Sequence, residues 1–329
     1  KVQKVIFPVK ETIGGRAGRM AQLKRIKKRI KNWFIYVLVK FGYTFLNGTK
    51  RSTAFKLFCT LAPIAYYVVP SERKKTIAHL TKVFGNQYSP AKIREMAKEV
   101  FVNLGRNMVD AFRISQLTPG NIDQLVQYEG LEKIDKVLQR RKGCLLITGH
   151  VGNWELLGAF VSLKGYPLHV IGAPIYDPRL DEMVVKNRKA SGAQYIARGS
   201  ATRQIIRALK NNELIGILID QDTKKVDGEL VDFLGHKAYT PVGPVEIAYK
   251  FKCPLVPIAI HIKKDNTHSV EVGDEIILEW TDNHEQDRIN NTLRCSKAIE
   301  HFILKHPTQW VWMHKRWRTK KKPIYNKAK

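Results

Sequence analysis

The hydrophobic pattern of this chain changes character twice. Apolar and aromatic residues run nearly unbroken from Trp33 to Leu46 and again from Ala54 to Val69. From Ser71 to about Gly120 they recur at helical spacing among mixed charges, as in SPAKIREMAKEVFVNLGRNMVDAF, and beyond Gly130 short apolar runs alternate with longer amphipathic stretches. The short runs are Cys144–Thr148, Leu168–Gly172, Gln194–Ile196, Leu214–Ile219 and Leu255–His261. Between them lie NWELLGAFVSLKG, RLDEMVVKNRKASG and SATRQIIRALKNN. Strands alternating with helices predict an α/β domain whose central sheet is largely parallel and flanked by helices. Ser89 before Pro90 predicts a helix start, since serine caps the free amides and proline suits the first helical position. There is no internal repeat and no low-complexity segment apart from the basic ends.

The two N-terminal runs predict a different environment. Each is shorter than the roughly 20 apolar residues that cross a bilayer, and Lys40 and Lys56 interrupt them. A dense Lys/Arg block, Lys24–Lys31, precedes the first. This layout predicts a helical membrane-surface anchor or a short tilted span, with anionic lipid holding the basic block on the cytoplasmic side. A signal peptide would need a small-residue cleavage site, which this Tyr/Phe-rich run does not offer. The second run also reads as a core helix. The expected organisation is therefore an extension over residues 1–19 upstream of a natural start at Met20, membrane-anchoring helices over 20–70, and one domain over 71–329. That domain divides into a helical lead-in at 71–130, an α/β core at 131–317 and a basic tail at 318–329. N-terminal mass spectrometry of the native protein tests the extension.

Charge narrows the partners. The 329 residues hold 57 Lys+Arg against 29 Asp+Glu, a formal +28, with 44% hydrophobic residues for a core. Such a field attracts nucleic acid, anionic lipid or an acidic protein and does not choose among them. The chain has no helix-turn-helix, zinc-finger or aromatic RNA-binding signature, so no nucleic acid is expected. Cys59, Cys144, Cys253 and Cys295 are scattered without metal-ligand or disulfide spacing, which suits a reducing compartment, and no metal is expected.

Candidate chemistry sits in LLITGHVGNWELLG. His150 follows the strand Cys144–Thr148 at the edge where parallel sheets collect active groups. Asn153 is a good cap for the next helix, which puts Glu155 in its first turn. Gly149 and Gly152 break the chain between them. Within one continuous helix a five-residue separation would turn the two side chains about 140° apart, so they pair only if His150 precedes the helix. A carboxylate holding His150 in one tautomer would make it a general base. The alternative is a buried strand-end histidine beside a glutamate that merely favours the helix dipole. The chain has no G-x-S-x-G elbow, and Cys144 lies inside a strand, so a base without an enzyme nucleophile suggests direct transfer to a substrate hydroxyl.

GHVGNWE resembles the H-x-x-x-x-[DE] box of the glycerophosphate/lysophospholipid acyltransferase superfamily, and more closely that of the bacterial lipid A biosynthesis (late lauroyl/myristoyl) acyltransferases, which share their pattern with phosphatidylinositol mannoside acyltransferases. Two further blocks carry the resemblance. GILIDQDTKKVDGELVDFLGHKAYTPVGPVEIAYKFKCPLVPIAI is similar to that family's D-Q-D, F-[FL]-G and T-P-x-G-P block, and HPTQWVWMHKRW to its terminal W-x-W-x-H-x-R-W. The resemblance spans roughly Met20 to Trp317. It implies a glycerolphosphate acyltransferase-like fold with His150 as catalytic base and Glu155 as its acidic partner. The family's arginine falls on Arg188, its acidic pair on Asp220 and Asp222, and its looser basic positions on Arg179 and Arg198. With Asn153 these form the expected substrate-binding set. Arginines suit a phosphorylated acceptor because guanidinium grips phosphate bidentately, while Asp220 and Asp222 would orient a hydroxyl or hold Arg188. His314, more often structural than a second base, falls outside the catalytic set.

The expectation is a membrane-associated acyltransferase at the cytoplasmic face of a bacterial inner membrane. His150 would deprotonate a glycolipid hydroxyl that attacks an acyl thioester, with acyl carrier protein or coenzyme A as donor, anionic lipids as surroundings and no cofactor. Alternative acceptors are a phosphatidylinositol mannoside, a lysophospholipid or an ornithine-type lipid. A non-catalytic basic protein binding membrane or nucleic acid is the rival from another class.

Overall fold

The computed structural model describes residues 16–197, 202–223 and 226–320. Four long helices come first: α1 (Arg16–Gly48), α2 (Arg51–Val68), α3 (Pro70–Phe84) and α4 (Pro90–Phe112). Then follow α5 (Ile122–Leu125), β1 (Val126–Glu129), α6 (Leu131–Leu138), β2 (Cys144–Thr148), α7 (Trp154–Leu163), β3 (Leu168–Gly172), α8 (Pro178–Ala190), β4 (Gln194–Ala197), α9 (Thr202–Lys210) and β5 (Leu214–Leu218). The hairpin β6 (Gly228–Phe233) and β7 (His236–Pro241), α10 (Gly243–Phe251), β8 (Leu255–Ile262), β9 (His268–Val272) and α11 (His284–Lys305) complete the order. Most of the expected 1–19 extension lies outside the described residues.

The sheet runs β1-β9-β8-β2-β5-β3-β4. Every pairing is parallel except β8 with β9. The mixed, largely parallel sheet follows the hydrophobic pattern, because a strand covered on both faces is apolar at every position. All five residues of β2 are buried. Its alternate side chains divide between two cores: Leu145 and Ile147 join α4, α9, α10 and α11 on one face, and Cys144 and Leu146 join α6 and α7 on the other. The lead-in expected to stay helical to residue 130 contains β1, and β6, β7 and β9 lie outside the apolar runs that marked strands.

The chain separates into two compact units, Lys1–Phe45 and Leu46–Lys329. The second takes in α2, the run that reads as either anchor or core helix. Its Ala54, Phe55, Ala62 and Tyr66 are buried, whereas Leu61, Ile64, Tyr67 and Val68 are exposed. Arg51 pairs with the buried carboxylate of Asp110 on α4 at 2.8 Å. Among the described residues no single helix is long and apolar enough to cross a membrane. α2 and α3 pass that test only as a pair, and they meet at an 89° bend. Ser89 caps α4 through Lys92 N (3.3 Å), with Pro90 at the first helical position.

Candidate active site

The register of two parallel strands builds the site. β2 and β5 pair with Thr148 opposite Leu218, and Ile219 N donates to Thr148 O at 3.1 Å. Counting two residues past each strand brings His150 and Asp220 side by side at the carboxyl edge of the sheet. One carboxylate oxygen of Asp220 accepts from His150 Nδ1 at 2.7 Å. The other accepts from the His150 backbone N–H and from Trp310 Nε1, each at 2.7 Å. Asp220 has no exposed surface. Burial alone would raise its pKa, but the facing imidazole, then His314 and Trp310, outweigh that and hold it far below the usual carboxylate range.

Tight backbone geometry permits this contact. A Cβ on Gly149 would stand 2.9 Å from Ile299 and 3.2 Å from the Asp220 carboxylate. Gly152 has φ +55°, and a Cβ there would strike the Ile260 carbonyl. The C-terminal segment closes over the loop: Val151 bridges Trp310, Gly152 N donates to Gln309 O (2.8 Å), and Val311 N donates to His150 O (3.2 Å).

An ionised Asp220 has no proton to give, so His150 carries its proton on Nδ1 and presents a lone pair at Nε2. The Gln221 amide nitrogen lies over the face of that imidazole, 2.9 Å from Nε2 and 3.3 Å from Nδ1, which leaves the in-plane lone pair open, and the same nitrogen lies 2.9 Å from His314 Nε2. The two imidazoles stand nearly perpendicular, 4.8 Å between centroids, and Trp154 packs edge-on against His150 at 4.9 Å. Burial pushes the His314 pKa down to about 4, with His150 adding to the shift. His314 Nδ1 is buried and makes no hydrogen bond among the described residues.

Several expected roles change. The carboxylate on His150 belongs to Asp220, and Glu155 instead forms a two-point ion pair with Arg188, at 2.8 Å to Nε and 2.6 Å to Nη2. The helix explains why: α7 begins at Trp154, so Glu155 projects from its first turn toward the last turn of α8, whose Arg188 also lies over the Tyr195 ring. Burial opposes the Arg188 charge, but Glu155 more than compensates and raises its pKa. Asn153 is 2% exposed and spends its amide on structure, capping Leu156 N (3.1 Å) and donating to Asn107 O (2.9 Å). Asp222 ties down the C-terminal segment, accepting from Thr319 N at 2.7 Å and Arg318 Nη2 at 3.3 Å. Arg179 is partly exposed and pairs with Asp177, the cap of its own helix, at 2.8 Å. Arg198 lies outside the described residues.

Gln221, Trp310 and His314 are the site residues that sequence reasoning passed over. The D-Q-D and W-x-W-x-H-x-R-W blocks contain all three, but their convergence on His150 depends on strand order. Ligand-capable atoms of His150, Asp220 and His314 lie within 4.8 Å of one another, the one such metal-capable group among the described residues. Asp220 already accepts three hydrogen bonds there. Chemically, the arrangement can supply an oriented base, a buried anion to stabilise its protonated form, and an amide donor beside it.

Comparison with known proteins gives this chemistry a family. The model of the bacterial lipid A biosynthesis acyltransferases matches residues 21–319. A lipid A biosynthesis acyltransferase of Haemophilus influenzae is 21% identical over 227 residues, covering 69% of this chain and 70% of that protein. The lipid A biosynthesis myristoyltransferase of Escherichia coli is 22% identical over 258 residues, 76% of each chain. A phosphatidylinositol mannoside acyltransferase of Mycolicibacterium smegmatis is 21% identical over 185 residues, 55% of this chain and 60% of its own. With a match running from Ala21 to Thr319 and enclosing the whole His150–Asp220–His314 constellation, this acyltransferase belongs to the bacterial lipid A biosynthesis acyltransferase family.

Proposed function

We propose that this acyltransferase moves a fatty acyl chain from an acyl thioester, carried by acyl carrier protein, to a hydroxyl of a glycolipid resembling a lipid A precursor, with His150 as general base. The observation that carries this reading is the His150 Nδ1 to Asp220 contact at 2.7 Å, which leaves Nε2 as a bare, oriented acceptor. His150 takes the hydroxyl proton as the oxygen attacks the thioester carbonyl, and Asp220 stabilises the imidazolium that results. The tetrahedral intermediate collapses with loss of thiolate, whose conjugate acid has a pKa of about 8.5, so little general-acid help is needed.

The reaction belongs at the cytoplasmic face of an inner membrane. α1 supports this, since Leu23, Ile26, Ile30, Trp33, Val37 and Phe41 recur at three- and four-residue steps along one side and are all exposed. Lys27, Lys28, Arg29 and Lys31 supply the adjoining positive charge for anionic lipid. For acceptor phosphates the candidates are Arg179 and Arg188, each of which already holds a carboxylate, together with Arg198. A phosphatidylinositol mannoside acceptor is the second reading, favoured by the 21% identity to the Mycolicibacterium enzyme.

The test has two parts. Lipid mass spectrometry of a host lacking the gene is expected to show a glycolipid short of one acyl chain, restored by the wild-type gene and not by His150→Ala. Purified His150→Ala is expected to lose about 10²-fold or more in kcat. Near wild-type turnover would remove His150 from the mechanism.

A further inference from the structure

We propose that Gln221 is the oxyanion donor of this reaction and that His314 is the residue that positions it. The inference rests on the reading of His150 as base.

A carboxamide nitrogen carries two N–H bonds, and Gln221 Nε2 lies 2.9 Å from two imidazole nitrogens, His150 Nε2 and His314 Nε2. One N–H goes to His314; the other lies beside the base without filling its lone pair, because the amide nitrogen sits over the His150 ring, 3.3 Å from Nδ1. Asp220 keeps His150 Nε2 an acceptor by holding the ring proton on Nδ1. His314 is neutral at ordinary pH, because burial drives its pKa down to about 4. It spends Nε2 on Gln221, while its Nδ1 finds no partner among the described residues.

An acceptor hydroxyl cannot be deprotonated until it reaches the His150 Nε2 lone pair, which the Gln221 amide leaves open. With the hydroxyl there and one N–H held by His314, the second N–H faces the space beside the attacking oxygen, where the thioester carbonyl must come. As the oxygen attacks, its proton passes to His150 Nε2. A C–O bond forms, the carbonyl π pair moves onto oxygen, and the second N–H stabilises that anion. On collapse the C=O bond re-forms, the C–S bond breaks, and the thiolate takes the proton back from His150.

The surroundings are built for such a donor. Gln221 directly follows Asp220, whose carboxylate is pinned by three hydrogen bonds. His314 lies just past the segment where Val311 N donates to His150 O, so base and positioning residue share one backbone frame. A filler role for Gln221 would not require its amide nitrogen to stand 2.9 Å from both imidazoles, one of them the base.

The experiment is steady-state kinetics on the full-length enzyme with a defined acyl thioester, both with acceptor and in water alone. Gln221→Ala and the isosteric Gln221→Glu, which keeps the shape and removes both donors, are expected to lower kcat about 10²-fold. KM for donor and acceptor should stay within about twofold. Thioester hydrolysis should fall by the same factor, because it passes through the same oxyanion. His314→Ala should lose about tenfold, His314→Gln should recover most of it by returning an acceptor atom, and Gln221→Ala/His314→Ala should be no slower than Gln221→Ala alone. Wild-type kcat in either Gln221 variant, a loss confined to KM, or additive losses in the double variant would overturn the proposal. His150→Ala in the same assay separates the two ideas: if it retains turnover, the base assignment fails, and if it collapses while the Gln221 variants do not, only the oxyanion assignment fails.

Discussion

Asp220 must stay ionised with no exposed surface, and three converging donors make that possible. Replacing it with asparagine keeps the shape but removes the charge, and it lets the His150 proton move to Nε2, where it blocks the base. Asp220→Asn is expected to lower kcat about 10³-fold or more with little change in KM, measured by initial rates. Glu155→Gln should behave differently. It leaves the largely buried Arg188 charge without its partner, so the loss should appear in Tm well before it appears in kcat. His314 sets an acid limit. Its pKa is about 4 in the folded chain against an ordinary 6.5, so between those values the unfolded chain binds more protons and stability falls as pH falls. At full effect this amounts to about 3 kcal/mol, and a plot of Tm against pH should flatten below pH 6.5 in His314→Gln. The sequence made His150 legible as a candidate base and put Asp220 in the candidate set, but not their pairing. They lie 70 residues apart, and only the adjacency of β2 and β5, which periodicity does not encode, brings them together. Glu155 stood nearer in sequence, and nearness favoured it wrongly.

Strands inside the sheet announce themselves as apolar runs, and β2, β3, β5 and β8 fall within a residue or so of where those runs predict them; β4, at one edge with one buried residue in four, is found from its shorter run. The strands that went unread have weaker patterns for physical reasons. β1 sits at the sheet edge with one buried residue in four, and β6 and β7 pair only with each other, so their partly covered faces tolerate charge. Pairing of helices is harder still to read, because it depends on small residues meeting across a distance. Gly105 on α4 shows this: a Cβ there would come within 2.6 Å of Ala62 Cβ on α2. An isolated helix would gain about 1 kcal/mol from Gly→Ala, but here the helices would have to separate, at a cost of about 1–3 kcal/mol. Gly105→Ala is therefore expected to lower Tm, as measured by calorimetry. A rise in Tm would mean that α2 is not packed on α4 as described.

A formal +28 over the whole molecule needs an anionic counterpart, and the family reaction provides two kinds. Under the proposed function, lipid head groups would meet the basic block beside the apolar stripe of α1. The acyl donor meets whatever surface leads to His150, and its two possible carriers differ in scale. Coenzyme A offers a few phosphates to a small pocket, whereas acyl carrier protein is an acidic domain that engages charge spread over a broad face. The C-terminal stretch supplies such charge close to the site, because Asp222, two residues past Asp220, anchors Arg318 and Thr319, and Lys320 follows directly. Lys321 and Lys322 continue the basic run beyond the described residues. Long-range attraction of this kind is screened once the Debye length falls to about 10 Å, near 0.1 M salt, and it acts mainly on the association rate. The expected outcome is that kcat/KM for acyl carrier protein thioester exceeds that for coenzyme A thioester at low salt and falls more steeply as salt rises. Neutralising Lys320, Lys321 and Lys322 together to glutamine should weaken the carrier-protein donor several-fold, through KM, and leave coenzyme A thioester nearly unchanged. Steady-state kinetics with both donors across a salt series, in detergent free of anionic lipid, makes the comparison. Equal use of the two donors with salt-independent rates would leave the charge to the membrane alone.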